Sequence, residues 1–210
     1  MSQNLVFQGH LFLICGYSGA GKSTICADIL KSNKSFKRII TYTTRPPREG
    51  EYDGVDYNFV SQEKFLDIKK SKGFLEDVFY SGNYYGTPAS LKSELDSGIN
   101  CLMIVTIAGA DSLKNIFHEN CSTVFIYTND VATSNERISA RTGKSLLEKR
   151  ITSNFADYDF LKRDPTFFDS MICNDSSVGD AVKNLATFIH TKTNQPVFLH
   201  YHPLPPKGDS

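Results

Sequence analysis

A glycine-rich segment near the N-terminus has the spacing of a phosphate-binding loop. Residues 16–23 read Gly-Tyr-Ser-Gly-Ala-Gly-Lys-Ser and fit the pattern G-x-x-x-x-G-K-[ST] at every fixed position. Glycines let the backbone fold around an anion with several N–H groups pointing inward, and the helix that follows adds partial positive charge. The Lys22 ammonium could reach the β- and γ-phosphates, and the Ser23 hydroxyl could ligate Mg²⁺. The segment predicts that a nucleoside triphosphate binds here.

The alternative is a chance glycine-rich turn between a strand and a helix. The flanking sequence argues against it, because a buried strand precedes the loop and an amphipathic helix follows it. The residues predicted to contact the triphosphate are Gly16, Tyr17, Ser18, Gly19, Ala20, Gly21, Lys22, Ser23 and Thr24.

A second charged segment, residues 41–60, reads T-Y-T-T-R-P-P-R-E-G-E-Y-D-G-V-D-Y-N-F-V. Arg45 and Arg48 stand three residues apart around a rigid Pro-Pro pair, so they could present two planar guanidinium forks to one phosphate. Tyr57 is close in sequence and could donate its hydroxyl to the same anion. Taken alone, such a segment could equally be a solvated charged loop.

Hydrophobic patterning predicts the elements that position these segments. Residues 11–15 form a continuous apolar run, as expected for a strand covered on both faces, and residues 23–32 form a helix with one apolar face. Further strands are predicted at residues 101–107, 123–127 and 170–173, and helices at 62–72, 88–97, 130–142 and from 178, the last capped by Ser176 or Ser177. The alternation predicts an α/β fold with a parallel sheet. Between residues 38 and 87 short strand-like pieces rich in Gly and Tyr indicate an inserted subdomain above the carboxyl ends of the strands.

Composition narrows the class of protein. The 210 residues carry 23 basic and 23 acidic side chains, so zero net charge gives no long-range attraction to nucleic acid or to an anionic membrane. No apolar run approaches the roughly 20 residues that span a bilayer. Five cysteines without a C-x-x-C pair predict core thiols in a reducing compartment. The motifs N-K-x-D and D-x-x-G, which a GTPase should carry, are not found in the sequence.

The two ends of the chain lie outside the predicted alternation of strands and helices. From about Thr193 the sequence contains four prolines, which predicts an extended appendage beyond the last helix. Residues 4–10 look somewhat like the remnant of a protease-cleavage site but could equally be native.

Over roughly residues 10–190 the chain resembles guanylate kinases. The loop at residues 16–23, the run T-T-R-P-P-R-E-G-E-Y-D-G-V-D-Y-N-F-V, the triplet Phe74-Leu-Glu76 and the segment at residues 81–87, S-G-N-Y-Y-G-T, occur in that family's order and spacing. The resemblance implies a P-loop nucleoside monophosphate kinase fold for residues 10–192. Its parts would be a core (10–37 and 88–192), a GMP-binding insert (about 38–87) and a lid (about 130–150), followed by a Pro-rich tail (193–210).

The resemblance also implies roles for individual residues. Glu76 would read guanine, because a carboxylate accepts hydrogen bonds from the N1–H and N2–H₂ donors and finds no such pair on adenine. Asn174 would lie near the adenine of ATP. The remaining GMP-binding residues would be Thr41, Arg45, Arg48, Tyr57, Tyr85 and Thr87. The residues near the transferred phosphoryl group would be Lys22, Arg45, the lid arginines Arg137 and Arg141, and Arg150 as their partner on the core side. Without the family, the pair Arg137 and Arg141 more often indicates a solvated helix face.

The implied reaction is Mg²⁺-dependent transfer from ATP to GMP, with dGMP as a further acceptor, by a cytoplasmic monomer or homodimer. The sequence departs from the family where an acidic pair usually follows a strand, since Ile104 and Thr106 take those places. Two alternatives therefore stay open: a catalytically weak nucleotide- or protein-binding module, and a kinase for another purine monophosphate or a sugar phosphate. The intact loop at residues 16–23 favours an enzyme over the first, and Glu76 disfavours the second.

Overall fold

The computed structural model describes residues 7–80, 82–129, 144–175 and 177–199. In chain order its elements are β1 (Leu11–Gly16), α1 (Lys22–Ser32), β2 (Phe36–Arg38), β3 (Tyr42–Thr43), β4 (Asn58–Phe59), α2 (Gln62–Lys70), β5 (Phe74–Tyr80), β6 (Asn83–Pro88), α3 (Leu91–Asp96), β7 (Asn100–Ile104), α4 (Ile107–Phe117), β8 (Cys121–Tyr127), α5 (Lys144–Arg163), β9 (Ser170–Cys173) and α6 (Val178–Thr193).

The core is a five-stranded parallel sheet in the order β2-β7-β1-β8-β9. Strand β1 is central, with Leu11 opposite both Cys101 of β7 and Cys121 of β8. Its side chains alternate between two apolar clusters: Leu11 and its neighbours at every second position pack with α3 and α4, and Phe12 and Ile14 pack with α1 and α6. The α/β class and parallel sheet are confirmed, and the continuous apolar run of β1 reflects burial on both faces.

Residues 38–87 carry a second sheet, with strands in the order β4-β3-β6-β5. Helix α2 covers it through Phe65, whose ring is fully buried and lies 4.6 Å from Phe74 and 5.4 Å from Tyr84 between ring centroids. A Cβ at Gly86 would lie 3.0 Å from both phenylalanine rings, so glycine lets this aromatic packing close. The insert thus has an aromatic core of its own, which holds its polar residues in fixed positions.

Several predicted boundaries differ from the structure. The strand predicted at residues 101–107 ends at Ile104, because Thr106 is the N-cap of α4 and accepts a hydrogen bond from the Gly109 amide at 3.1 Å. The helix predicted to begin at Pro88 begins at Leu91, since Pro88 is the last residue of β6. Ser177, rather than Ser176, caps the last helix. The predicted helix at residues 130–142 and tail residues 200–210 lie outside the described residues.

The described ends of the chain are held to the core. Phe7 is 4% exposed and its ring lies 5.1 Å from that of Phe117, so the segment around it packs as part of the fold. At the other end, Asn33 exchanges two hydrogen bonds of 2.8 Å with the backbone of Phe198. The described tail residues therefore return along the core instead of extending from it.

All five cysteines are free and four are buried, which confirms the prediction of core thiols. Among the described helices, none has the length and apolarity to cross a bilayer.

Candidate nucleotide-binding site

The predicted phosphate-binding loop connects β1 to α1 and requires glycine at two fixed positions. Gly16 has φ 141°, and a Cβ there would lie 2.0 Å from the carbonyl oxygen of Ile126. Gly21 has φ 90°, precedes the first residue of α1, and would place a Cβ 2.5 Å from the Asn174 amide nitrogen. The loop therefore leads directly into a helix N-terminus, where free amide groups and the helix dipole favour an anion.

The Lys22 side chain curls back over the loop. Its ammonium donates to the carbonyl oxygens of Gly16 at 2.6 Å and Tyr17 at 2.9 Å. An ammonium has three donors, so one is left for an incoming phosphate. Burial lowers the pKa of Lys22 below its usual range, against the raising effect of Asp157. Ser23 and Thr24, predicted to contact the metal and the triphosphate, stand exposed in the first turn of α1.

Two asparagines from distant parts of the chain brace this loop. Asn154 of α5 accepts a hydrogen bond from the Ser18 amide at 2.7 Å. Asn174, which follows β9, donates to the Ala20 carbonyl oxygen at 2.8 Å and is 2% exposed. Asn174 was expected near adenine, and the structure places its amide against the loop. Asn154 was not foreseen from the sequence, because the helix that carries it was not predicted.

Asp157 lies one helical turn after Asn154 and within electrostatic range of Lys22. Burial raises the pKa of Asp157 to about 6, and the Lys22 charge opposes that shift. The sequence offered no signal for this placement. Ile104 and Thr106 supply no carboxylate. Among the side chains that the structure describes, Asp157 is the carboxylate whose charge acts on Lys22.

The two arginines of the insert share one carboxylate, that of Glu51. The Arg45 nitrogens Nη2 and Nη1 lie 3.0 and 2.9 Å from Glu51 Oε1 and Oε2, and the Arg48 amide donates to Oε2 at 2.8 Å. Burial would raise the pKa of Glu51, but the hydrogen bonds from both arginines hold it below its usual value. The carboxylate is therefore ionised near neutral pH. Sequence reasoning missed Glu51, although its spacing three residues after Arg48 was visible.

Aromatic rings line the same cluster. The Arg45 guanidinium carbon lies 5.2 Å from the centre of the Tyr57 ring, and the rings of Tyr57 and Tyr85 are 6.1 Å apart. Burial, and then the neighbouring Tyr85, raise the pKa of Tyr57. Its hydroxyl therefore stays protonated near neutral pH and has a hydrogen to donate. The structure thus brings together Arg45, Arg48, Tyr57 and Tyr85.

Glu76 of β5 lies where the insert faces the core. Its Oε1 accepts a hydrogen bond from the buried Thr87 hydroxyl, and its Oε2 is buried with no hydrogen-bond partner among the described residues. A Cβ on Gly109, in the first turn of α4, would lie 3.7 Å from both oxygens, so the carboxylate sits beside a helix N-terminus. Burial raises the pKa of Glu76 to about 7, although the Thr87 hydrogen bond opposes it. Thr41 is buried in the same insert, where its carbonyl oxygen accepts from the Asn58 amide at 2.9 Å.

The positively charged side chains of the phosphate-binding loop and of the insert lie within electrostatic range of each other. Burial is the main cause that lowers the pKa of Lys22, and the charge of Arg48 adds a smaller effect in the same direction, so Arg48 lies within electrostatic range of the loop. A site with two adjacent centres of positive charge suits two anions placed end to end. The predicted lid arginines Arg137 and Arg141 lie outside the described residues. For Arg150, predicted as their partner on the core side, only the backbone, within α5, is described.

The chain is similar to known proteins in both sequence and fold. Residues 8–192 match the family model described as guanylate kinase. The guanylate kinase of Clostridioides difficile is 33% identical over 193 residues, which are 90% of this chain and 91% of that protein. That of Clostridium tetani is 36% identical over 186 residues, 87% of this chain and 86% of the relative. The crystal structure of a guanylate kinase from Anaplasma phagocytophilum superimposes with a TM-score of 0.70 at 21% identity, covering 89% of this chain and 87% of the other.

Proposed function

The chain belongs to the guanylate kinase family, whose members are nucleoside monophosphate kinases, and on that premise we propose that it transfers the γ-phosphoryl group of ATP to GMP. The products would be ADP and GDP. We extend the proposal to dGMP, because the insert residues proposed to bind the acceptor nucleotide would contact its base and its phosphate, which dGMP shares with GMP.

One observation carries the proposal: the buried carboxylate of Glu76, with one oxygen held by Thr87 and the other without a partner among the described residues. An unpaired acceptor in a buried site costs roughly 1–3 kcal/mol, and a ligand that supplies donors recovers that free energy. The guanine edge carries two adjacent donors, N1–H and N2–H₂. Adenine presents an unprotonated N1 there and would leave the carboxylate unpaired, so the site favours guanine.

Catalysis by this chain's residues would consist of placement and charge neutralisation. The loop amides and Lys22 would hold the ATP phosphates while Arg45, Arg48, Tyr57 and Tyr85 hold the GMP phosphate. The electrostatic proximity of Lys22 and Arg48 supports an arrangement in which the two phosphate groups meet. Arg137, Arg141 and Arg150 would add positive charge on closure of a lid, which would also exclude water.

Mg²⁺ is the cofactor that this reaction class requires, and the residues present fit it. The Ser23 hydroxyl is exposed at the start of α1, beside the loop amides. Among the described residues, no three His, Cys, Asp or Glu side chains are close enough to hold a metal ion by themselves. That suits Mg²⁺, which commonly keeps several waters and takes the remaining ligands from substrate phosphates. When bound, the ion would neutralise charge on the β- and γ-phosphates.

The second candidate is a nucleotide- or protein-binding module that transfers phosphate poorly. It is favoured by the absence of carboxylates at Ile104 and Thr106, since loss of groups that support a metal site typically costs about 10–100-fold in affinity or activity. Against it stand the braced phosphate-binding loop and the charge of Asp157 acting on Lys22.

The free thiols suit a reducing compartment, and we propose the cytoplasm.

A coupled assay of ADP release with GMP, AMP, CMP and UMP distinguishes these functions. Rapid turnover that depends on GMP supports the kinase. GMP binding in calorimetry without turnover supports the binding module. Preference for another acceptor would contradict the role given to Glu76.

A further inference from the structure

Arg38 stands where the chain leaves the core sheet and enters the insert. It is the last residue of β2, an edge strand of that sheet, and its backbone lies opposite Leu102 of β7. Burial raises the pKa of the Cys26 thiol to about 12, and the Arg38 charge opposes that shift, so the guanidinium lies within electrostatic range of helix α1. Arg38 therefore has its backbone in the core sheet and its charge at the junction of core and insert.

The guanidinium of Arg38 contacts one residue of the insert, Asp56, through two different groups. Its Nη2 lies 3.7 Å from Asp56 Oδ1 and donates to the Asp56 carbonyl oxygen at 3.5 Å. The two side chains are only 19% and 21% exposed, so water and salt screen this pair less than an ordinary surface pair. The guanidinium thus restrains the backbone of Asp56 as well as its carboxylate.

Asp56 in turn closes the turn that leads to Tyr57. Its Oδ2 accepts a hydrogen bond from the Tyr52 amide at 3.0 Å, and its own amide donates to the Tyr52 carbonyl oxygen at 3.0 Å. The carboxylate that binds Arg38 therefore belongs to a hydrogen-bonded turn. Tyr57 follows Asp56 directly, and the centre of its ring lies 5.2 Å from the Arg45 guanidinium carbon. A displacement of the turn would move Tyr57 with it, because the peptide unit that joins the two residues is rigid.

We propose that Arg38 is a positioning residue for the acceptor nucleotide: from the edge of the core sheet it holds the turn at Asp56, and with it the Tyr57 hydroxyl. The proposal rests on the function proposed above, in which Tyr57 binds the phosphate of GMP. Arg38 acts through Asp56 and not by contact with the nucleotide. The sequence motifs gave no role to either member of this pair.

Charge alone leads to a different expectation, which separates the two explanations. Arg38 is a cation and Asp56 an anion near a site for phosphate. By Coulomb interaction alone, removal of the cation weakens phosphate binding and removal of the anion strengthens it. Loss of positioning has the same sign for both residues, because either substitution breaks the same tether. Pairs of this kind contribute enough that their loss corresponds to roughly a 2–5-fold change in an equilibrium constant.

The experiment measures the dissociation constants of GMP and of guanosine by calorimetry for the wild type, Arg38→Gln, Asp56→Asn and the double variant. The guanosine constant divided by the GMP constant gives the contribution of the phosphate. We expect each single variant to lower this ratio about 3–5-fold and the double variant to lower it no further. The guanosine constant should change less than twofold. Lys37→Gln is the matched control, because Lys37 precedes Arg38 on β2 but pairs with Glu94 of α3, and it should leave the ratio unchanged.

Two results would overturn the proposal. One is a ratio that falls in Arg38→Gln and rises in Asp56→Asn, since that pattern follows from charge alone. The other is a ratio that stays at the wild-type value in both single variants. Should Arg38→Gln not fold, Asp56→Asn decides alone, because weaker phosphate binding after removal of an anion has no Coulomb explanation.

A second measurement tests the tether without any nucleotide. In thermal melts of the same four proteins, the loss of melting temperature in the double variant should be smaller than the sum of the two single losses. Additive losses would show that Arg38 and Asp56 do not act together and would contradict the tether. If the wild type bound no GMP, the proposed function would fail, whereas the melts would still report whether the pair is coupled.

Discussion

The Asn154 side chain accepts a hydrogen bond from the Ser18 amide at 2.7 Å, which ties helix α5 to the phosphate-binding loop across 136 positions of the sequence. Helix α5, Lys144–Arg163, begins inside the predicted lid, residues 130–150, and continues beyond it. A change in the position of α5 would therefore act on the loop through Asn154, and also through the charge of Asp157 on Lys22.

Asn154→Ala should raise the KM for ATP by about 5–10-fold, because the loop loses a buried hydrogen bond worth roughly 1 kcal/mol and its Ser18 amide becomes unpaired. The KM for GMP should change less than twofold. Asn115→Ala is the matched control, since this exposed asparagine of α4 donates a hydrogen bond to the Asp111 carbonyl oxygen of its own helix. Initial-rate kinetics with each substrate varied in turn measures the effect, and equal changes for ATP and GMP would refute the local role of Asn154.

GMP affinity should depend on the ionisation of Glu76. In the free protein the pKa of Glu76 is raised to about 7, and only the carboxylate can accept from both guanine donors. As the pH falls from 8 to 6, the ionised fraction falls and the dissociation constant for GMP should rise about 5–10-fold.

Guanosine is the better ligand for this titration, because the phosphate of GMP ionises near the same pH. Calorimetry of guanosine binding at half-unit intervals between pH 5.5 and 8.5 gives the profile. Glu76→Gln should flatten it. A flat profile in the wild type would contradict the role of the Glu76 charge.

The Glu76 carboxylate should also lower the free energy of unfolding of the nucleotide-free protein. When the folded pKa of a carboxyl group lies above its unfolded value, the protein loses stability as the pH rises from the unfolded to the folded pKa, and the full cost is present above the folded pKa. Glu76→Gln should therefore stabilise the free protein by roughly 1–3 kcal/mol at pH 8 and leave it unchanged at pH 4.5. Thermal melts at both pH values, with Glu49→Gln as the control, measure this. A variant less stable than the wild type at pH 8 would show that Glu76 is structural.

Gly16 and Gly54 form a matched pair for measuring how much stability is lost when alanine replaces glycine in the tightly packed phosphate-binding loop. Both have positive φ, 141° and 71°, but a Cβ would meet the Ile126 carbonyl oxygen at 2.0 Å in the first case and nothing within 4 Å in the second. Gly54→Ala should cost about 1–2 kcal/mol for its backbone conformation. Gly16→Ala should cost more than about 3 kcal/mol, because β1 and β8 must move apart. Denaturant unfolding compares them, and equal losses would mean that the loop relaxes freely.

The parts of the site that follow from the sequence are those whose residues are close together in it. The phosphate-binding loop is one uninterrupted motif, and the insert brings Arg45, Arg48 and Tyr57 into a span of 13 positions. Strand β1 could be predicted because burial on both faces leaves a continuous apolar run.

The supporting residues could not be predicted, because they act across the fold. Asn154 and Asp157 lie on α5, whose charged and weakly periodic sequence gave no helix signal. Thr106 was interpreted as a replaced acidic residue in a strand, whereas its hydroxyl caps α4 and so orients the helix N-terminus beside Glu76. The role of Glu51 could not be predicted, because its contacts with both arginines depend on how the loop at residues 45–51 folds back on itself.

The central claim is that Glu76 selects guanine, and steady-state kinetics of Glu76→Ala tests it most directly. The KM for GMP should rise at least about 10-fold relative to the wild type, and the KM for ATP should stay within about twofold. Equal increases for both substrates, or no increase for GMP, would contradict the assignment of Glu76 to the base.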